Sequence, residues 1–321
     1  MYTSKDIECK TVFVINCIEK KELHVKAGGL MLEDAEGKTL TKLPFQKILA
    51  LFIIGNIHIT TPLIDKCKKF NVSIIVTNTH FRPVFYWANE AEANYLLRQK
   101  QYCMDKENTT VAKVLVKNKI VNQISTLKKS RKTDDLTKYS LTYLNNLLIM
   151  VDNVEDVKKL MGLEGLASKV YFRAYFQKEN WSGRKPRTKC DIVNSILDIG
   201  YTILFNYIEC FVRMFGFDIY VGVFHRLWFK RKSLICDLVE PFRCIVDNAT
   251  RSALHRKQFT KEDFDNKNGE YRLKVSENGK YAKVFFDALI PFKQDVFKYV
   301  QSYYRCFMKG ADGTLYPIFR Y

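Results

Sequence analysis

The sequence predicts an α+β protein, with a β-rich domain over residues 1–88 followed by a helical domain over 89–321. Three observations carry this. The first stretch holds short runs of Val, Ile, Leu and Phe broken by Gly and Asn, the signature of strands and tight turns. From Asn89 onward the apolar residues recur at helical spacing among good helix formers. Hydrophobic residues make up 47% of 321, enough to bury a core in two domains of ordinary size.

The elements follow in order. Thr11–Ile15 (TVFVI) is β-branched and apolar and reads as a strand. Glu22–Lys26 alternates until Gly28-Gly29 breaks it, and Leu30–Leu32 leads into EDAEG, whose Gly37 suits a hairpin turn. Ile48–Ile54 reads as a buried strand, TPLIDKCKKFN as a short helix with Pro62 in its first turn, VSIIVTN as a second buried strand and RPVFYWA as one more. The unit ends near Trp87. NEAEANYLLRQKQYCM then opens the helical part, with Glu90 and Glu92 toward the positive end of its dipole. Helical patterns continue over 111–129, 136–150, 154–178, 190–215 and 233–256, and a last one over Val284–Met308 should kink or restart at Pro291. KKSRKTDD and WSGRKPRTK are polar breaks. The second, at 181–189, carries four cations and reads as a solvated loop unless a phosphate backbone lies beside it.

Lys and Arg number 52 against 34 Asp and Glu, a formal charge of +18. So large an excess on a folded chain points to a polyanionic partner, nucleic acid first and an acidic membrane surface second. The opening MYTSKDIECKTVFVIN has no apolar stretch behind a basic segment, so no secretory signal is expected. The most apolar long run, Ser195–Phe217, contains Asp198, Glu209 and Arg213, which are costly in lipid; it reads as a buried helix. Nine cysteines occur singly, without a CxxC pair. That pattern speaks against a zinc ribbon or a disulfide framework and for reduced thiols in a cytosol.

The chemistry concentrates in GVFHRLWFKRKSLICDLVEPFR, residues 222–243. Asp237 and Glu240, three apart, stack two carboxylates on one helical face, where their repulsion needs a cation to relieve it. Ser233 is placed to cap that helix, and Pro241 should interrupt it. His225 precedes the acids, and Glu164, between Gly162 and Gly165, supplies a third carboxylate; the glycines would permit close approach of another element. Taken singly, each has an ordinary reading: an acidic patch paired with Arg243, a satisfied polar histidine, a helix-start acid. Taken together they suggest a divalent-metal site acting on a phosphodiester backbone, with Lys230, Arg231, Lys232 and Arg243 neutralising phosphates and Arg184, Lys185 and Arg187 as a second contact. Two carboxylates and one imidazole suit Mg²⁺ or Mn²⁺.

The ordered segments GLEG, GRKPRTKCDIVNSILDIGYTIL, GVFH and SLICDLVEPFRCIVD resemble the signature of the CRISPR-associated adaptation integrases, which insert new spacers into CRISPR arrays. The resemblance covers nearly the whole chain, with LFIIGNIHITTPLIDKCKKFNVSIIVTN like that family's strand–helix–strand segment and LYPIFRY like its tail. It implies an N-terminal β-sandwich-like domain that dimerises and an all-α catalytic domain. It implies Glu164, His225 and Glu240 as metal ligands, with Asp237 an adjacent catalytic acid. The implied reaction is transesterification, in which the 3′-hydroxyl of a prespacer DNA attacks a phosphodiester at the CRISPR repeat. The implied partners are double-stranded DNA (prespacer and repeat or leader), a second copy within a higher assembly, and a small dimeric Cas companion, in the cytoplasm of a prokaryotic cell and away from membranes. The chain departs from the family in the single proline of RKPRTKC and in Glu240, where many members carry aspartate. Two other functions fit the same residues: a metal-dependent endonuclease that only hydrolyses DNA, and a non-enzymatic DNA-binding scaffold.

Overall fold

Local hydrogen bonding starts the chain with an unexpected helix, α1 (Ser4–Cys9). Thr3 and Asp6 close a capping box, Asp6 N–H donating to the Thr3 hydroxyl and Thr3 N–H to the Asp6 carboxylate. The computed structural model describes residues 2–88, 91, 93–105, 107–177, 181 and 183–321.

Seven strands follow: β1 (Thr11–Cys17), β2 (Lys21–Lys26), β3 (Gly29–Asp34), β4 (Thr39–Pro44), β5 (Ile48–Gly55), β6 (Ser73–Thr77) and β7 (Pro83–Trp87), with α2 (Thr61–Lys69) between β5 and β6. They form two sheets. One runs β1-β5-β6-β7, parallel through β6 with β7 antiparallel; the other is the antiparallel meander β2-β3-β4. Strand β4 was not foreseen because its residues are mostly exposed and lack an apolar face. Strand β5 is buried at every position, and the two sides explain why. Leu51 and Ile53 pack with Leu23, Leu30 and Phe45 between the sheets, while Ala50, Phe52 and Ile54 face the helices. A strand covered on both faces is written as a continuous apolar run rather than an alternating one.

The helical part comprises α3 (Tyr95–Cys103), α4 (Thr110–Lys129), α5 (Asp135–Asp152), α6 (Val157–Tyr175), α7 (Ile192–Arg213), α8 (Ser233–Val239), α9 (Arg243–His255), α10 (Asn278–Leu289) and α11 (Lys293–Lys309). Glu90 and Glu92 lie outside the described residues, and the first helix begins only at Tyr95. Pro241 and Pro291 do what their missing N–H requires: each sits in a 3₁₀ turn, Glu240–Phe242 and Ile290–Phe292, that separates two helices. A hairpin missed in the sequence, β8 (Phe264–Lys267) and β9 (Glu270–Leu273), turns on Asn268-Gly269, both with positive φ.

Helix α7 is the spine. It is long and apolar enough to cross a membrane, yet 72% of its apolar window is buried inside the protein. Its Gly200 is needed there, since a Cβ would stand 2.5 Å from Val246 on α9 and 2.6 Å from Phe285 on α10. Its buried Glu209 is answered by Arg213 at 2.9 Å and Lys232 at 2.7 Å. The α+β architecture is therefore as the sequence predicts, and the helices α4, α8 and α9 pack against the turn at Pro241.

Candidate active site

Two of the predicted acids meet at a cation that the sequence did not single out. Glu164 lies in the middle of α6, which Asp156 starts by accepting the Lys158 N–H at 2.7 Å. The Lys119 ammonium, from α4, bonds both the Glu164 carboxylate and Glu240 Oε2, the latter at 2.7 Å. Arg243 Nε reaches the same Glu240 oxygen at 2.9 Å. Glu240 is only 5% exposed. Burial alone would raise its pKa, but Arg243, Lys119 and His225 outweigh that and hold it down to about 2. Lys119 is held above the usual lysine range: burial works against its charge, and Glu164 and Glu240 overcome it. Glu164 also accepts the Ser168 hydroxyl at 3.1 Å. The glycines around it are not close-packed, because a Cβ at Gly162 or Gly165 would meet nothing within 4 Å. Nor is Glu164 a helix-start residue.

Asp237 is held differently. Its carboxylate accepts three backbone N–H groups, from Val223 at 2.7 Å, Phe224 at 3.1 Å and His225 at 2.9 Å, and lies 2.7 Å from His225 Nδ1. The side chain is fully buried. Gly222 makes the wrap possible, since a Cβ there would lie 2.5 Å from Asp237 Oδ2. With Nδ1 committed to the carboxylate, the remaining ring nitrogen, Nε2, is the one His225 can offer to a ligand. Ser233 is not the helix cap. It is the first helical residue, and its hydroxyl donates to the Arg226 carbonyl at 3.0 Å, pinning the base of the loop.

Behind the glutamates lies a buried carboxylate that sequence reasoning missed. Asp247, on α9, accepts from the hydroxyls of Tyr171, at 3.1 Å, and Tyr201. Burial pushes its pKa up to about 6 against those hydrogen bonds. The Tyr201 ring carries two guanidiniums, Arg243 at 4.6 Å and Arg184 at 5.3 Å. The C-terminal tail braces the other side. Asn122 Nδ2 donates to the carbonyls of Pro241 and Phe319, at 2.9 and 3.0 Å, and Phe319 stacks on Phe242 at 4.3 Å. The Pro241 turn is thereby clamped between α4 and the tail. Asp247 stands seven residues beyond Glu240, a helical spacing that could have flagged it. Lys119 sits in a lysine-rich helix and carried no such signal.

The predicted cations divide. Lys232 is committed to Glu209, Arg243 to Glu240, and Arg184 to Asp198 at 2.6 Å and Asn194 at 3.0 Å. In this structure these three are held by internal carboxylates. Among the described residues, no carboxylate pairs with the side chains of Lys185, Arg187, Lys230 or Arg231.

The donor set fits a hard divalent cation. Glu240 Oε2 is buried at ion-pair distance from Lys119 and Arg243, and Glu164 reaches the same ammonium. Among the described residues, no three His, Cys, Asp or Glu side chains stand close enough to hold an ion as they are; Lys119 occupies the space between the glutamates.

The chain as a whole resembles known proteins. The family model described as "CRISPR associated protein Cas1" matches residues 17–286. A CRISPR-associated endonuclease Cas1 of Thermodesulfovibrio yellowstonii is 28% identical over 282 residues, which cover 84% of this chain and 89% of that protein. Among solved structures, a casposase bound to integration product superimposes with a TM-score of 0.77 at 20% identity, covering 97% of this chain and 96% of its own. A chain of a Cas6-RT-Cas1–Cas2 complex gives a TM-score of 0.79 at 19% identity; 97% of this chain spans 36% of that longer one.

Proposed function

Because the chain belongs to the Cas1 family of CRISPR-associated proteins, we propose that it is a DNA integrase of CRISPR adaptation, one that joins the 3′-hydroxyl of an incoming prespacer DNA to a phosphodiester of a CRISPR repeat. The observation that carries this reading is the meeting of Glu164 and Glu240, from separate helices, at one cation.

In the proposed reaction the attacking 3′-oxygen forms a new P–O bond as the P–O3′ bond of the target strand breaks. The proton of the attacking hydroxyl departs and the displaced 3′-oxygen takes one up. The number of phosphodiesters is unchanged, so no nucleotide cofactor is consumed. Glu164, Glu240 and the Nε2 of His225 would hold Mg²⁺ or Mn²⁺, which would polarise the phosphoryl oxygens and lower the pKa of the attacking hydroxyl. Lys119, which bonds both glutamates, would have to withdraw its ammonium to admit a divalent ion. Asp237 would hold Nδ1 of His225 and leave Nε2 for the metal. Arg243 stays on Glu240 and limits its basicity. Lys185, Arg187, Lys230 and Arg231 are the side chains available to draw a phosphate backbone over the site.

The reading also proposes partners. A second copy would associate through the β-rich part, and a small dimeric companion would bridge two sites, as the Cas1–Cas2 assembly of one structural relative suggests. The casposase bound to integration product supports strand joining over simple cleavage. The reading also places the protein in the cytoplasm of a prokaryotic cell.

The test is a supercoiled plasmid carrying a CRISPR repeat, incubated with short duplex DNA and Mn²⁺. Relaxed plasmid with the donor covalently attached is expected, and a donor blocked at its 3′ end should give none. Free fragments without joined product would overturn the proposal in favour of hydrolysis. DNA binding without turnover, indifferent to EDTA, would reduce the protein to a scaffold.

A further inference from the structure

Asn194, Asp198 and Tyr201 follow one another on α7 at helical spacing, and each meets a cation. Asn194 and Asp198 take the Arg184 guanidinium at 3.0 and 2.6 Å, and they also accept the backbone N–H groups of Lys185 and Arg187 at 2.8 and 3.0 Å. Tyr201 has no carboxylate to offer. Its ring lies 4.6 Å from the Arg243 guanidinium and 5.3 Å from that of Arg184. Two like charges share one ring because each has an acid of its own, Glu240 for Arg243 and Asp198 for Arg184. The Tyr201 hydroxyl is tied to the buried Asp247. Tyr171 bonds the same carboxylate, yet its ring packs on Phe172 and Tyr175 at 5.1 and 5.3 Å. Of two tyrosines on one acid, one faces core rings and the other a pair of guanidiniums.

We infer that Tyr201 is a positioning residue for the metal site: its ring seats the Arg243 guanidinium on Glu240 and keeps it out of the gap between Glu240 and Glu164. The inference rests on the integrase reading of that site and adds a residue to it. A guanidinium keeps its charge at any working pH, so its place decides what else Glu240 can hold. The Lys119 ammonium already bonds both glutamates and has to yield to a divalent ion. A second cation swinging into the same gap would add its charge to the one that must be displaced. Arg243 meets Glu240 through Nε at 2.9 Å, and its side chain is 30% exposed, so that contact alone leaves the long arm room to turn. The Tyr201 ring supplies the second hold by cation–π attraction, and the bond to Asp247 fixes the ring. Arg184 cannot take over on Glu240, because Asp198 and Asn194 hold it.

The test is a double-mutant cycle read as Mn²⁺ affinity without DNA, with free Mn²⁺ followed by electron paramagnetic resonance. Tyr201→Leu should weaken Mn²⁺ binding about 10-fold or more, as groups that act behind a ligand do. Tyr201→Phe keeps the ring and should restore most of that affinity. In an Arg243→Met background Tyr201→Leu should make no further difference, because the side chain it positions is gone. A loss of the same size in both backgrounds would show the ring acting by packing alone and would overturn the inference, as would parent affinity in Tyr201→Leu. Arg243→Lys leaves the ring and the core untouched but cannot lie on the ring as a planar fork, so it should weaken Mn²⁺ binding even if Tyr201→Leu fails to fold. Parent affinity in that variant would also overturn the inference. Strand joining on the same proteins tests the reading beneath it. A loss of Mn²⁺ affinity that depends on Arg243, in a protein that joins no DNA, sustains the positioning role and removes the integrase reading. Joining by the parent, with the two substitutions additive in Mn²⁺ affinity, does the reverse.

Discussion

Asp237 and Glu240 lie one helical turn apart, both buried, and they are answered in opposite ways. Asp237 is satisfied by three backbone amides and an imidazole that belong to one wrapped loop. Glu240 is satisfied by the tips of long side chains, Lys119 and Arg243, that approach from two other helices. Fixed dipoles cannot leave without unfolding the loop; a lysine can rotate away. A carboxylate held by backbone is suited to positioning a neighbour, whereas one held by movable charge is suited to exchanging one cation for another.

The sharpest test of that contrast is strand joining. Glu164→Ala, Glu240→Ala and His225→Ala should each cost about 10³-fold or more in a joining assay while retaining most DNA binding, well beyond the ~10–100-fold typical of groups behind a ligand. A His225→Ala protein that joins DNA at the parent rate would break the site assignment. Next in size is Lys119→Met. Removing the ammonium leaves Glu164 facing Glu240 with only Arg243 to offset their charge, so metal-free stability should fall by about 3 kcal/mol. Added Mn²⁺ should raise the melting temperature of this variant more than that of the parent, and equal shifts would contradict the exchange. Asp237→Asn should reduce joining by about 10–100-fold, because the imidazole loses its orienting carboxylate while the ligands stay. An unchanged rate would move Asp237 from positioning to packing.

The smallest effect concerns pH and sets Glu240 against Asp247. Glu240 has its pKa lowered from 4.5 to about 2, so its contribution is present above pH 4.5 and is lost as pH falls toward 2. Asp247 has its pKa raised from 3.8 to about 6, so the native state keeps that proton longer than the unfolded chain and stability falls as pH rises through this window. Between pH 5 and 7 the Asp247 loss should amount to about 1 kcal/mol, measured by chemical denaturation, and Asp247→Asn should flatten it. A parent protein whose stability does not change over that range would show Asp247 to be ionised throughout.

Much of the molecule was legible in one dimension. Strand β5 declared its double burial by an unbroken apolar run, and the prolines at 241 and 291 declared the helix breaks, because proline lacks the N–H that a helix interior needs. The misses share a cause. Strand β4 has no buried face, α1 depends on a two-residue capping exchange, and the Ser233 hydroxyl prefers a carbonyl across the loop to the helix end. Each is decided by a partner, not by a periodicity.

Amino-acid order alone determined the α+β layout, the basic character and the residue types gathered for phosphodiester chemistry, since periodicity, proline and net charge are properties of neighbours along the chain. The tertiary structure alone decided which cation each acid meets: Lys119 between Glu164 and Glu240, Arg243 on Glu240, Lys232 on Glu209. With 52 cations in the sequence, many could have served, and only burial, which strengthens one pairing and forbids an unpaired charge, selects among them.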